Sequence, residues 1–227
     1  MKKCLVISGG EFYAAPKDLL KTYDFVVACD KGYDWAKKLG VKPNLVIGDF
    51  DSCTEPPVST AFANENSAKS LNSPNATEVI RLPSDKLDSD TLAGVKAAIE
   101  LGFTDFTLIC AAGGRFDHFF CNLQTLSYIA ERFGKARMIS KNEEIFVIKN
   151  TTIEIFRKEG WSLSVFSFCN ESKGVSECGT RWSLNGAVMR QSEPYGLSNE
   201  WSAEKAKISV EDGTLIIILS KMNEKSA

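Results

Sequence analysis

No stretch of this chain is apolar for long enough to cross a bilayer, which takes about 20 residues. The apolar run behind the two N-terminal lysines, Cys4–Ile7, stops at Ser8-Gly9-Gly10, too short for the core of a signal peptide. Positive charge is not in surplus either. The 27 Lys and Arg stand against 29 Asp and Glu, a net charge of −2, so the basic footprint of a nucleic-acid or anionic-membrane binder is missing. Histidine occurs once, at His118, which excludes a zinc centre built from histidines. A Ser-His-Asp triad would have to use that residue, and no G-x-S-x-G elbow accompanies it. The seven cysteines form no C-x-x-C pair. Cys4, Cys29 and Cys110 fall in apolar runs and read as buried small hydrophobes, not as a metal or disulfide framework. There is no internal repeat and no low-complexity tract. These absences together predict a cytoplasmic protein that partners neither membrane nor nucleic acid.

What is present is a chain of 227 residues, 44% hydrophobic and 25% charged, enough for one large domain or two modest ones. Up to about residue 140, short runs that are apolar on both faces recur: Cys4–Ile7, Phe25–Cys29, Leu45–Ile47, Val79–Leu82, Phe106–Ala111 and Ala136–Ile139. Such runs suit parallel strands covered on both sides. Leu92, Val95 and Ile99 recur at helical spacing between them, as do Leu123, Leu126, Ala130 and Phe133. The alternation predicts an α/β domain over 1–140, an open, mostly parallel, Rossmann-like sheet with flanking helices. The Ser-, Asn- and Pro-rich segment Cys53–Thr77 reads as a surface insertion, with a short helix near Val58–Asn64. After residue 141 the rhythm changes to strands alone: Glu144–Ile148, Ile153–Phe156, Trp161–Phe168, Lys207–Val210 and Leu215–Leu219, with Asp212-Gly213 as a hairpin-turn signal. A small antiparallel β-sandwich over 141–227 is expected.

The informative feature is where the acids fall. Ligands of open α/β sheets bind beyond the carboxyl ends of the strands. The first strand here runs into Gly9-Gly10, the second into Asp30-Lys31-Gly32, and the third into Gly48-Asp49-Phe50-Asp51-Ser52. Lys86, Asp88, Ser89 and Asp90 follow the fourth, and Gly113-Gly114-Arg115-Phe116-Asp117-His118 the fifth, both at predicted helix starts. One Asp behind a strand is most often a cap or a turn former, and Asp88 and Ser89 suit that role. Four strand ends repeating the theme are a different matter. Carboxylates gathered at one sheet edge repel unless a cation sits among them, and oxygen-only ligands favour Mg²⁺ shared with substrate phosphates. Arg115 supplies the fork that phosphate oxygens fit, and the glycines beside it let backbone N–H groups approach a phosphate. The set describes a site for a nucleotide polyphosphate.

These motifs, with Asn122, Gly179-Thr180-Arg181-Trp182-Ser183-Leu184 and Gly196-Leu197-Ser198-Asn199-Glu200, resemble in order and spacing those of the thiamine pyrophosphokinases. The resemblance covers nearly the whole chain. It implies a homodimer whose α/β domain binds ATP and Mg²⁺ and whose β-sandwich binds thiamine at the dimer interface. By position, Asp49, Asp51 and Asp90 would hold Mg²⁺ and, with Arg115, do the catalytic work. Asp30, Gly113, Gly114, Arg115, Asp117, His118 and Asn122 would contact the nucleotide. Asp88, Trp182, Ser198 and Asn199 would serve thiamine, with Trp182 stacking on its aminopyrimidine ring. Asp51 or Asp90 would take the hydroxyl proton. His118 contacts ATP or caps its helix, and Asn122 contacts the nucleotide or is the polar face of a helix. Leu87 stands where the family often carries another acid, and Thr180 where it is often hydrophobic. Two rivals differ in class. An aspartate-nucleophile phosphatase wants its Asp pair behind the first strand, not the third. A non-catalytic nucleotide or thiamine sensor would have no need of every acid.

Overall fold

The computed structural model describes residues 2–57 and 77–222. The helix read near Val58–Asn64 lies outside the described residues. The chain divides into two compact units, Met1–Thr125 with Met138–Lys141, and Leu126–Arg137 with Asn142–Ala227.

In the first unit, β1 (Lys3–Ile7), β2 (Phe25–Cys29), β3 (Leu45–Gly48), β4 (Glu78–Arg81) and β5 (Asp105–Ile109) are all parallel, in the order β4-β3-β2-β1-β5. Helices α1 (Lys17–Leu20), α2 (Gly32–Leu39), α3 (Asp90–Glu100) and α4 (Phe116–Ala130) intervene, and α4 and β6 (Lys135–Ile139) both cross the division between units. Side chains alternate between the faces of a strand. Leu5, Ile7, Val26 and Ala28 pack with Ala36 of α2, whereas Val27, Cys29 and Ile47 meet Gly94 of α3. Both faces are therefore covered, which is why the inner positions of these strands are mostly apolar on both sides. Cys4, Cys29 and Cys110 are buried, as the apolar runs imply, and all seven cysteines are free thiols.

The chain leaves β1 for β2, β3 and β4 on one side, then crosses to β5 on the other. A sheet of this kind opens a crevice at the carboxyl ends of the strands where the order reverses. Ser89 caps α3 by accepting a hydrogen bond from Leu92 N at 3.2 Å, which aims the helix start with Asp90 at that crevice. The α4 periodicity stops short of expectation, because Phe133 lies past the helix in a left-handed turn (φ 60°) and is exposed.

The second unit is all antiparallel. β13 (Thr214–Lys221) pairs with β7 (Glu143–Lys149) and β9 (Trp161–Ser167). A separate four-stranded sheet runs β11 (Leu184–Arg190), β10 (Glu171–Cys178), β12 (Lys205–Ser209), β8 (Thr152–Phe156). Leu163, Val165, Leu215, Ile217 and Leu219 of the first set pack on Ile155, Val175, Met189, Ala206 and Ile208 of the second, an interleaved two-sheet core. The Asp212-Gly213 turn is not a hairpin. It joins β12 in one sheet to β13 in the other, with Gly213 N bonded to Asn150 Oδ1 at 2.8 Å and Asp212 O to Lys173 N at 2.7 Å. Strands β10 and β11 escape the sequence pattern because β10 turns Ser172 and Glu177 inward, while Met189 is the single fully buried side chain of β11. Among the described residues, no helix is long and apolar enough to cross a membrane.

A Cβ at Gly94 would stand 2.8 Å from Cys29 Sγ and 2.9 Å from Val27 Cγ1. Gly94→Ala should therefore destabilise by about 1–3 kcal/mol through overpacking, although an exposed helical Gly→Ala change would gain roughly 0.5–1 kcal/mol. Denaturant titration decides the sign, and a gain would refute the close helix–sheet approach.

Candidate active site

A cavity of about 910 Å³ opens at the crevice, lined from the β1 turn by Gly9 and Gly10, behind β2 by Asp30 and Lys31, and at the start of α3 by Asp88 and Asp90. The β5 end contributes Gly113, Gly114, Arg115, Asp117 and His118, and α4 contributes Asn122. Five segments separated by as many as 113 positions thus meet at one edge because parallel strands end together.

The backbone is strained around this rim. Asp30, Phe50 and Cys110, which follow β2, β3 and β5, all have left-handed φ values of 49°, 63° and 52°, each costing about 1–3 kcal/mol. Packing compensates. Phe50 is buried with the Arg81 guanidinium 4.9 Å from its ring centroid, and Arg81 also donates to Asp49 O at 2.8 Å. Pinning Phe50 inward leaves Asp49 half-buried and Asp51 exposed on either side of it. Gly48 is required here, since its Cβ would stand 3.1 Å from the Asp30 backbone.

Asp30, Asp49 and Asp51 each bring one carboxylate oxygen within 4.8 Å of the others. That is an all-oxygen set of the kind a hard divalent cation takes, and the exposure of Asp51 leaves room for waters and phosphate oxygens in its shell. Asp30 was placed on the nucleotide side by the sequence argument, and the geometry brings it into the acid group. Its carboxylate is steadied by a hydrogen bond from Ser52 Oγ. Asp90 is joined differently: Lys86 Nζ lies 3.2 Å from Asp49 Oδ2 and 3.0 Å from Asp90 Oδ1. Burial pushes the Asp90 carboxyl up, against the pull of Lys86 and with the repulsion of Asp49 and Asp30. Burial acts the same way on Asp49, but the Lys86 contact and the Asp51 N–H outweigh it and hold Asp49 below the usual range. Lys86 is a residue that sequence reasoning named but gave no role; it precedes α3, and its contact with both acids depends on the fold.

The remaining expected residues fall as follows. Arg115 makes a two-point contact with Asp117, Nε to Oδ1 at 3.1 Å and a terminal nitrogen to Oδ2 at 2.6 Å, so its fork is pre-shaped for an oxyanion. Gly113 and Gly114 both adopt positive φ, 75° and 68°, a conformation that only glycine takes freely. His118 is exposed on the cavity wall. Asn122 donates to Ala111 O at 2.8 Å, tying α4 to the β5 end. Asp88 pairs with Lys96 at 2.5 Å. Leu87 points fully into solvent.

Trp182, Ser198 and Asn199 come together in the second unit. The Trp182 ring is 54% exposed, with the Arg181 guanidinium 4.9 Å from its centroid. Asn199, 4% exposed, donates to Glu177 Oε1 at 2.7 Å and Trp182 O at 2.8 Å, and accepts from Trp182 N at 3.1 Å and Glu200 N at 2.9 Å. Every hydrogen-bonding position of its amide is in use, so Asn199 holds the Trp182 loop in place. Ser198, at φ 57°, is fixed by its N–H to Ser164 Oγ at 2.9 Å. Beneath them lie Glu177 and Thr180, 2% and 3% exposed. Thr180, where the resemblance expects an apolar residue, is buried beside the Glu177 carboxyl.

Comparison with known proteins agrees with this fold. Residues 16–138 match the family model for the thiamin pyrophosphokinase catalytic domain, and residues 150–215 that for its vitamin B1 binding domain. Thiamine pyrophosphokinase of Bacillus subtilis (strain 168) is 25% identical over 97% of this chain and 99% of its own length. The fold superposes on thiamin pyrophosphokinase of Geobacillus thermodenitrificans with a TM-score of 0.74 at 21% identity, covering 100% of this chain and 99% of the other. For that of Candida albicans the TM-score is 0.67 at 15% identity, covering 97% and 89%.

Burial raises the Glu177 carboxyl above its ordinary value of 4.5, outweighing the hydrogen bond from Asn199. A carboxyl whose folded pKa is raised contributes its full stability below the unfolded value and loses it as pH rises through the folded one. Glu177→Gln should therefore melt higher than the parent at pH 8, by roughly 2–4 °C if about 1 kcal/mol is recovered. The gap should close towards pH 4.5, and equal melting at both pH values would show Glu177 to be unstrained.

Proposed function

The chain belongs to the thiamin pyrophosphokinase family, and from that premise we infer that it transfers the diphosphoryl group of ATP to the hydroxyl of thiamine, giving thiamine diphosphate and AMP. The observation that carries the reading is the convergence of Asp30, Asp49 and Asp51 within 4.8 Å, beside a cavity that Arg115, Gly113 and Gly114 line. We assign Mg²⁺ to those three carboxylates, with Asp90 held close by Lys86; bound there, the ion would withdraw charge from the phosphate oxygens.

The chain's own groups do the rest by positioning and charge, which is what phosphoryl-type transfer requires. The glycine pair at 113–114 and the start of α4 receive the phosphates, and Arg115 exchanges Asp117 for the charge that develops on them. Lys86 keeps Asp49 and Asp90 from repelling each other, so both remain aimed at the reacting oxygens. Asp51 or Asp90 takes the proton of the attacking hydroxyl. Nucleotide contacts fall to Asp30, Asp117, His118 and Asn122, and thiamine contacts to Asp88, Trp182 and Ser198. The proposed homodimer, with thiamine at its interface, is supported by exposed Trp182, Val188, Tyr195 and Leu197 in the second unit, an apolar concentration of the kind interfaces cover. Seven free thiols favour the cytoplasm. The phosphatase alternative loses ground, since its Asp pair would follow the first strand and here it follows β3.

Asp49→Asn and Asp51→Asn should each lower thiamine-dependent AMP release by about 10²–10³-fold. EDTA should abolish release in the parent and Mg²⁺ restore it. Parental turnover in either variant would remove the metal assignment. AMP release independent of thiamine would remove the acceptor.

A further inference from the structure

The charge inventory of the cavity leaves one strong cation over. Lys31, Lys86 and Arg115 line it. Lys86 is held between Asp49 and Asp90, and Arg115 by Asp117. Among the described residues no carboxylate forms a salt bridge with Lys31. Its ammonium rests instead 5.2 Å from the centroid of the Trp35 ring, a residue that also lines the cavity together with Phe12.

That resting place is weak. The Lys38 ammonium shares the same indole at 5.6 Å and lies 4.1 Å from the Phe12 ring, so two like charges draw on one ring. A cation–π contact at a partly exposed site is worth about 0.5–1 kcal/mol, against about 1.5–3 kcal/mol for a hydrogen bond to a charged group. An anion entering the cavity therefore outbids Trp35 for Lys31. The platform itself is firm: Trp35 Nε1 donates to Gly10 O at 3.0 Å, and the Phe12 and Trp35 rings lie 5.3 Å apart. Gly9 makes the arrangement possible, because its Cβ would press to 3.2 Å from Lys31 Cβ. The lysine stem thus passes close to the turn behind β1.

We infer that Lys31 is a direct contact for the polyphosphate tail of the nucleotide, released from Trp35 when that tail binds. The inference rests on the reading of the cavity as the ATP site and extends it by a residue that no resemblance assigns. Lysine is suited to this as a mobile point charge with three donors, complementing the rigid fork of Arg115.

Steady-state kinetics and tryptophan emission test it together. Lys31→Gln should raise the KM for ATP by about 10–100-fold, while kcat and the KM for thiamine stay within about twofold, the signature of lost ground-state binding. Lys31→Arg should recover most of the ATP affinity. With Mg²⁺ present, inorganic tripolyphosphate should alter the tryptophan emission of the parent but not of Lys31→Gln, and adenosine should alter neither. An unchanged ATP KM in Lys31→Gln, in a background where the parent releases AMP normally, overturns the assignment and leaves the kinase reading standing. A response to adenosine in place of tripolyphosphate overturns it by putting the base on Trp35. If tripolyphosphate binds in a Lys31-dependent way and the parent releases no AMP with thiamine, the phosphate contact holds and the kinase reading falls.

Discussion

Everything in the first unit answers to one electrostatic problem, the gathering of Asp30, Asp49, Asp51 and Asp90 at the ends of neighbouring parallel elements. Unit charges about 4 Å apart repel by roughly 4 kcal/mol at an effective dielectric near 20, a large fraction of the stability of a domain. The chain answers part of it with Lys86, shared by Asp49 and Asp90. Within the Asp30, Asp49, Asp51 group only Asp49 touches that ammonium; among the described residues Asp30 and Asp51 form no salt bridge, and that asymmetry favours an external cation there.

Holding the acids in place has conformational consequences. The left-handed residues Asp30, Phe50 and Cys110 cluster at the strand ends that carry the site, and strain of this kind persists only where the surroundings over-determine it. Buried Phe50 under Arg81, the Tyr13 N–H donated to Cys110 Sγ at 3.3 Å, and the Asp30 N–H donated to Ile47 O at 2.9 Å supply that determination. The rigid β1–β5 sheet underneath, buried on both faces, is the reference against which the rim is held. Preorganised charge of this sort is worth most where reorganisation would otherwise accompany reaction.

The second unit solves a different problem with similar means. An exposed tryptophan on a loop needs an anchor, and the anchor is polar: Asn199 saturated by four hydrogen bonds, over a buried Glu177 and Thr180. A polar core of this kind specifies one loop geometry at some expense in stability. Glu177, together with Ser172, also hid β10 from pattern reading.

The sequence alone determined the layering of the fold and the identity of the acids, because continuous apolar runs and period-2 runs have only a few ways to bury themselves, and because Asp and Gly recur behind successive strands. It also placed the starts of α3, capped by Ser89, and of α4, which are local, although the apolar spacing overran the end of α4 at Phe133. The tertiary structure decided what depends on distance in space. It brought Asp30 into the acid group, put Lys86 between Asp49 and Asp90, spent the Asn199 amide on the Trp182 loop, left Lys31 without a carboxylate among the described residues, and sent the Asp212-Gly213 turn from one sheet to the other. None of these is a local property. Each is set by which strands lie side by side, and pairings between segments far apart in the chain are fixed by packing, not by the residues on either side of the feature.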